Sequence, residues 1–148
     1  MSEAADLTQK LKEQIDAGKI KFDSDDLRKQ LLLESTGTQV TALARQLVLE
    51  LAKTVGTFIK ISSLVRSSGH HGSGRAVDVG NEDVAASLLP TVVTKVADWK
   101  IDEIIYDAGG ATLQARNKWN YDQGAKHEYD ATTLADHQNH IHFAVKAS

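Results

Sequence analysis

The chain is organised around the stretch Ser67-Ser68-Gly69-His70-His71-Gly72-Ser73-Gly74-Arg75-Ala76-Val77-Asp78-Val79-Gly80 and its counterpart His137-Gln138-Asn139-His140-Ile141-His142. Five of the six histidines lie in these two stretches. The glycines between His71 and Asp78 tolerate positive φ and close backbone approach, so the loop can bend sharply. Two distant segments that converge in this way can hold one metal ion, and zinc is the first candidate because it accepts imidazole and carboxylate ligands.

Length and composition are those of one soluble globular domain. The chain has 148 residues, of which 41% are hydrophobic and 25% are charged. We therefore predict a single domain over residues 1–148. A formal net charge of −3 indicates neither nucleic acid nor an anionic membrane as a partner. Because the chain has no cysteine, a bound metal must be held by His, Asp or Glu.

Hydrophobic spacing predicts a helical scaffold over residues 1–56. Leu7, Leu11 and Ile15 recur at helical spacing, and Ser24 is a plausible N-cap of a second helix that would run to about Glu34. The third helix has the clearest apolar face, formed by Val40, Leu43, Ala44, Leu47, Val48 and Leu51.

From Thr57 the apolar period changes to two, which is typical of strands. Further strands are predicted at Arg75–Val79, Ile101–Asp107 and His140–Val145, and the last of these would place His140 and His142 on one face. The stretch between residues 109 and 136 has no clean periodicity, and long irregular segments of this kind are more often functional than idle. We predict an α+β fold in which residues 57–148 form a small antiparallel sheet that carries the zinc site and packs against helices.

The two stretches resemble those of a known family. Residues His71 to Asp78 fit the motif His-x-x-Gly-x-Ala-x-Asp of the D-Ala-D-Ala carboxypeptidase-like zinc peptidases, which belong to the superfamily named for lysostaphin, D-Ala-D-Ala peptidases and sonic hedgehog. His140-Ile141-His142 is similar to the closing His-x-His of that superfamily, and the resemblance covers roughly residues 58–145. It implies that His71, Asp78 and His142 are the ligands of one zinc ion.

The resemblance also implies the catalytic residues. His140 would be the active-site histidine, His137 stands where the murein endopeptidase branch has a further histidine, and Asp136 stands where the hedgehog-like branch has an acidic residue. The D-Ala-D-Ala dipeptidases place a glutamate where this chain has Asn139. The identity of the general base is therefore open among His140, His137 and Asp136. Arg66 would bind the substrate or stabilise the oxyanion, or would simply pair with an acidic neighbour.

The function implied is that of a zinc metallopeptidase which hydrolyses an amide bond in peptidoglycan, as a carboxypeptidase or an endopeptidase. The bond would be D-Ala-D-Ala, L-Ala-D-Glu or a cross-bridge. Met1–Asp6 is acidic and lacks the apolar core of a secretory signal, and no run of about 18 apolar residues could span a bilayer. We therefore expect synthesis in the cytoplasm, then action on the cell wall or in the periplasm after release by a holin or delivery by a phage tail or injection apparatus, as for endolysins.

A second interpretation is a binding or structural module that retains zinc without catalysis, as the hedgehog-like branch illustrates. The helical N-terminal third would then dock to a larger assembly. Of the remaining candidates, His70 is expected to be a loop residue without a metal role, and His127 is expected to be solvated. Trp119 and Tyr121 are equally suited to packing and to a substrate platform.

Overall fold

The computed structural model describes residues 3–66 and 69–147. Helices and strands alternate irregularly along these residues. Their bounds are α1 Glu3–Asp16, β1 Ile20–Phe22, α2 Asp25–Leu31, α3 Ala42–Thr54, β2 Ile59–Ser63, α4 Gly69–Gly72, β3 Ala76–Val79, α5 Glu82–Val92, β4 Ile101–Ile105, α6 Leu113–Arg116, β5 Tyr121–Asp122, β6 Ala125–Lys126, α7 Ala131–Ala135 and β7 Ile141–Val145.

The strands form one sheet of seven in the order β1-β2-β3-β7-β4-β5-β6. All neighbouring pairs are antiparallel except β1 and β2, which run parallel with Ile20 opposite Ile59. The predicted α+β class is confirmed, and the sheet is mixed because the helical N-terminal third also contributes this edge strand. Strand β7, which comes last in the sequence, lies in the middle of the sheet between β3 and β4.

The period of two along β3 and β7 separates a helix-covered face from a polar face. One set of alternating residues belongs to the hydrophobic core with the leucines of α1, α3 and α5, namely Val77, Val79, Ile141, Phe143 and Val145. Asp78 and His142 alternate with them and therefore point to the opposite face. The helices therefore cover one face of the sheet, and Asp78 and His142 lie on the other.

Helices α1 and α3 pack as their apolar spacing predicts, with Leu7 and Leu11 buried and Ile15 half-buried. Helix α2 ends at Leu31 rather than near Glu34 because Leu33 adopts a positive φ of 60°, which an α-helix cannot accommodate.

A buried arginine joins the three N-terminal helices. The guanidinium of Arg45 on α3 donates to the carbonyl oxygen of Leu31, at 2.8 Å, and to the hydroxyl of Thr8 on α1. Arg45 is 1% exposed, so these hydrogen bonds replace the water that its charge would otherwise require. Within the described ranges, no helix has both the length and the apolar character needed to cross a bilayer.

Candidate metal centre

Three elements bring the predicted ligands together. His71 lies in the single turn α4, Asp78 lies on β3, and His142 lies on β7 directly opposite Asp78 in the sheet register. The connection from His71 to β3 turns at Gly74, whose φ is +74° and where an added Cβ would overlap the carbonyl oxygen of Gln39. Only glycine fits this close approach without strain.

The three side chains converge on one carboxylate oxygen. His71 Nε2 lies 3.2 Å from Asp78 Oδ1, and His142 Nδ1 lies 3.1 Å from the same atom. One nitrogen or oxygen from each residue lies within 4.8 Å of the others, and all three residues are buried. This group could hold a metal ion.

The outer nitrogen of each histidine has its own acceptor. His71 Nδ1 donates to the carbonyl oxygen of Leu64 at 2.6 Å, and His142 Nε2 donates to Glu103 Oε1 at 2.9 Å. In each ring the other nitrogen is therefore free to act as an acceptor inside the group. There, His71 Nε2, His142 Nδ1 and Asp78 Oδ1 face one another. Such a group of acceptors is stable only when protons or a cation lie between them, so the donor set fits a metal ion.

The electrostatics of the group agree with this geometry. Burial alone would raise the pKa of Asp78, but hydrogen bonds from His142 and His71 outweigh burial and hold that pKa well below its ordinary value. Burial would lower the pKa of His142, but hydrogen bonds to Asp78 and Glu103 raise it above its ordinary value. Both shifts arise because the carboxylate of Asp78 is in direct contact with the two imidazoles.

Two further histidines predicted from the sequence line the group. His140 Nε2 lies 3.9 Å from Asp78 Oδ2, and its side chain is 24% exposed. The ring of His137 lies 5.0 Å from the ring of His140 and 5.9 Å from that of His142. Because His137 Nδ1 donates to the carbonyl oxygen of Thr133, at 2.7 Å, its ring is held in this position.

The two charged residues predicted for the site differ in their positions. Arg66 Nη2 lies 3.7 Å from Asp78 Oδ2, and the arginine side chain is 59% exposed. Asp136 is exposed at the C-terminal end of α7, and the described part of the chain shows no side-chain contact between it and the ligand group. Arg66 and the two histidines thus border the ligands, whereas Asp136 caps a helix.

A second group of polar residues, which the sequence interpretation did not include, lies behind His142. His70 Nε2 lies 2.8 Å from Asp102 Oδ2, and His70 Nδ1 lies 3.2 Å from the Glu103 Oε1 that accepts from His142. His70 is not one of the three residues of the ligand group, and its contacts with these two carboxylates show that it is not an isolated loop residue. The available signal was the adjacent pair of acidic residues within an otherwise apolar strand, Ile101-Asp102-Glu103-Ile104-Ile105.

Shifts of register border the site on both sides. Along β2 and β3 the pairing changes between Ile61 and Ser63, just before Ser63 meets Asp78. Along β4 and β7 it changes between Ile101 and Glu103. Such bulges are common beside functional sites because they redirect side chains that a regular strand would send to the other face.

The stretch from 109 to 136, which shows no clean periodicity in the sequence, contains short helices and a two-stranded hairpin. Trp119 and Tyr121 are half-buried and pack against the core, which agrees with their packing interpretation. His127 is exposed, as expected, and its ring meets the ring of Tyr129 edge-on at 4.6 Å.

This stretch is anchored to the end of β4 by Asp107, which is buried. Its carboxylate accepts hydrogen bonds from Arg116, from Gln138 and from the backbone N–H of Gly109. The hydrogen bond from Arg116 contributes most to lowering the pKa of Asp107 to about 2. The backbone N–H of Asp107 also donates to the carbonyl oxygen of His137, so this anchor is joined to the site.

Comparison of the chain with protein-family models, with curated proteins and with solved structures finds no match.

Proposed function

We propose that the chain is a zinc-dependent peptidase that hydrolyses an amide bond in bacterial peptidoglycan. The observation that carries the proposal is the buried group of His71, Asp78 and His142 with the partly exposed His140 at its edge. Three protein ligands of nitrogen and carboxylate type, with space left for water or substrate, are typical of catalytic zinc sites. The motif resemblance described above supplies the substrate class.

Zinc, when bound, supplies a Lewis acid for the scissile carbonyl and a water whose pKa is near 7. The protein must then accept a proton and return it to the leaving amine, and His140 is suited to both steps. Its Nδ1 donates to Asn139 Oδ1 at 2.8 Å, which leaves Nε2 as the acceptor on the side of Asp78. Burial lowers the pKa of His140, so its ring is neutral at neutral pH and able to take a proton.

Asn139 stands where the related dipeptidases carry a glutamate, and in this chain it orients the neighbouring histidine. We therefore favour His140 over Asp136 as the general base, with His137 packed beside it. Arg66 is exposed and permanently charged, so it can bind a substrate carboxylate or the developing oxyanion beside the ligands.

The test is digestion of purified peptidoglycan by the zinc-loaded protein, with and without a chelator, followed by mass spectrometry of the fragments. We expect cleavage of one amide bond that stops with chelator and with His142→Ala. A matched control is His127→Ala, which removes an exposed histidine outside the site. The proposal fails if the zinc-loaded parent cuts no amide bond, or if His142→Ala cuts as fast as the parent.

A second candidate function is a zinc-containing binding or structural module of a phage-like or injection assembly, without catalysis. The observation that favours it is that no nearby carboxylate among the described residues is placed to act as a general base. Glu103 and Asp102 are hydrogen-bonded to histidines, and Asp136 lies at the end of α7 away from the ligand group. Bound zinc whose removal lowers thermal stability, together with intact peptidoglycan, would support this function. Protein that binds no zinc would exclude both functions.

A further inference from the structure

Outside the ligand group, polar contacts continue from His142 to Glu103, His70 and Asp102. We propose that Glu103 is a positioning residue of the metal centre and that His70, supported by Asp102, holds Glu103 in place. The inference concerns metal affinity, so it rests on the metal site of the proposed function and not on peptidase activity.

Glu103 determines which nitrogen of His142 faces the centre. Its Oε1 accepts a hydrogen bond from His142 Nε2 at 2.9 Å, and this bond keeps the proton on Nε2 and the lone pair on Nδ1. His142 Nδ1 then lies 3.1 Å from Asp78 Oδ1, within the ligand group. Carboxylates in this position both orient a ligand histidine and strengthen it as a donor to the metal.

His70 contacts the same oxygen of Glu103. Its Nδ1 lies 3.2 Å from Glu103 Oε1, and its Nε2 is hydrogen-bonded to Asp102 Oδ2 at 2.8 Å. The side chains of His70, Asp102 and Glu103 are 23%, 18% and 17% exposed, so water screens these contacts only partly. The imidazole therefore limits the positions open to the Glu103 carboxylate.

The backbone provides this arrangement through the register shift in β4. In a regular strand Asp102 and Glu103 would point to opposite faces of the sheet. The shift between Ile101 and Glu103 lets both carboxylates reach one imidazole.

The two adjacent histidines therefore have different roles at the metal centre. His71 is itself a member of the ligand group, whereas His70 acts on His142 through Glu103. The single turn α4 therefore contributes one residue of the ligand group and one residue that positions another.

The test is the zinc dissociation constant, measured by competition with a chromophoric chelator, together with the visible spectrum of the cobalt-substituted protein. We expect Glu103→Ala to weaken zinc binding by about 10- to 100-fold and to change the cobalt spectrum. Glu103→Gln should weaken it several-fold less, because an amide oxygen can still accept from His142. His70→Ala should weaken binding in the parent but not further in Glu103→Ala, since it acts through that residue. Asp122→Asn, on the neighbouring strand, is the matched control.

A purely structural role would lower the stability of the metal-free protein and leave zinc affinity and the cobalt spectrum unchanged. That result for Glu103→Ala would overturn the inference, as would an equal loss of affinity in Asp122→Asn. If Glu103→Ala does not fold, Glu103→Gln decides, and zinc affinity and spectrum equal to those of the parent would overturn the inference. A parent that binds zinc but leaves peptidoglycan intact refutes the peptidase proposal alone.

Discussion

Replacement of Asp107 by asparagine tests how firmly the stretch after β4 is held against the site. The carboxylate accepts from Arg116 Nη2 at 2.8 Å, from Gln138 Nε2 at 3.1 Å and from the backbone N–H of Gly109 at 2.9 Å. Asparagine has nearly the same size and keeps one acceptor oxygen, but it has no charge. The substitution therefore isolates the part of the stabilisation that depends on the negative charge.

The magnitude follows from the pKa. Hydrogen bonding to Arg116 holds the pKa of Asp107 at about 2, against an ordinary value of 3.8. A difference of about 1.8 pKa units corresponds to roughly 2.5 kcal/mol of preference for the charged form in the folded protein. Because the Arg116 side chain is 23% exposed, screening by water reduces this value. We expect Asp107→Asn to lower the free energy of unfolding by about 1–2 kcal/mol at pH 7.

The pH dependence gives a second, independent check. The pKa of Asp107 is lower in the folded than in the unfolded chain, so its stabilisation is complete above the unfolded value and is lost as the pH falls toward the folded value. About half should remain near pH 3. Urea unfolding of parent and variant, followed by circular dichroism between pH 7 and pH 3, measures the difference.

The reasoning is refuted if Asp107→Asn is as stable as the parent at pH 7, or if the difference between them stays constant down to pH 3. Asp98→Asn is the control, because this exposed aspartate has no hydrogen bond or ion pair among the described residues. Its stability should remain within about 0.5 kcal/mol of the parent.

Three further predictions concern the core, the turn and the metal. Arg45→Ala should lower the free energy of unfolding, measured in urea, by about 2–4 kcal/mol because it leaves buried acceptors unpaired. Arg28→Ala, which removes a surface arginine, should have a much smaller effect. Gly74→Ala should lower the free energy of unfolding by about 3 kcal/mol or more, because the added Cβ meets a backbone carbonyl. Gly37→Ala, where φ is also positive but the space is open, should lower it by about 1–2 kcal/mol, and equal losses in the two variants would contradict this prediction. A chelator should lower the melting temperature of protein held at zinc 100-fold above the dissociation constant by roughly 5–10 °C, and that of Asp78→Asn hardly at all.

The group of His71, Asp78 and His142 could be predicted from the sequence because its residues fit the motif His-x-x-Gly-x-Ala-x-Asp and a later His-x-His, whose resemblance to a known family implies this set. Histidines are few in this chain, and the glycines between His71 and Asp78 mark a bend rather than an ordinary strand. The period of two then places Asp78 and His142 on the face away from the core, where the register pairs them. These features are local in sequence, and periodicity conveys them well.

The contribution of Glu103 and His70 could not be predicted in this way. A pair of acidic residues in a strand is ordinary, and the contact between these two residues depends on a shift of register that periodicity does not reveal. The structure of the stretch from 109 to 136 could not be predicted either, because hydrogen bonds of buried side-chain amides, rather than regularly spaced apolar residues, fix its conformation. Asn120 accepts from the backbone of Tyr106 and donates to Asn117, and both asparagines are buried.

The central place of β7 has a consequence for the order of folding. Strands β1 to β3 and β4 to β6 come earlier in the chain, but within the described sheet only β7 joins the two sets. A growing chain therefore has two unjoined half-sheets until residues 141–145 are available, and closure requires contacts across long sequence separations. His142 arrives with that strand, so the ligand set is completed in the same step that closes the sheet. The rate of metal uptake during refolding should thus report directly on formation of the whole domain.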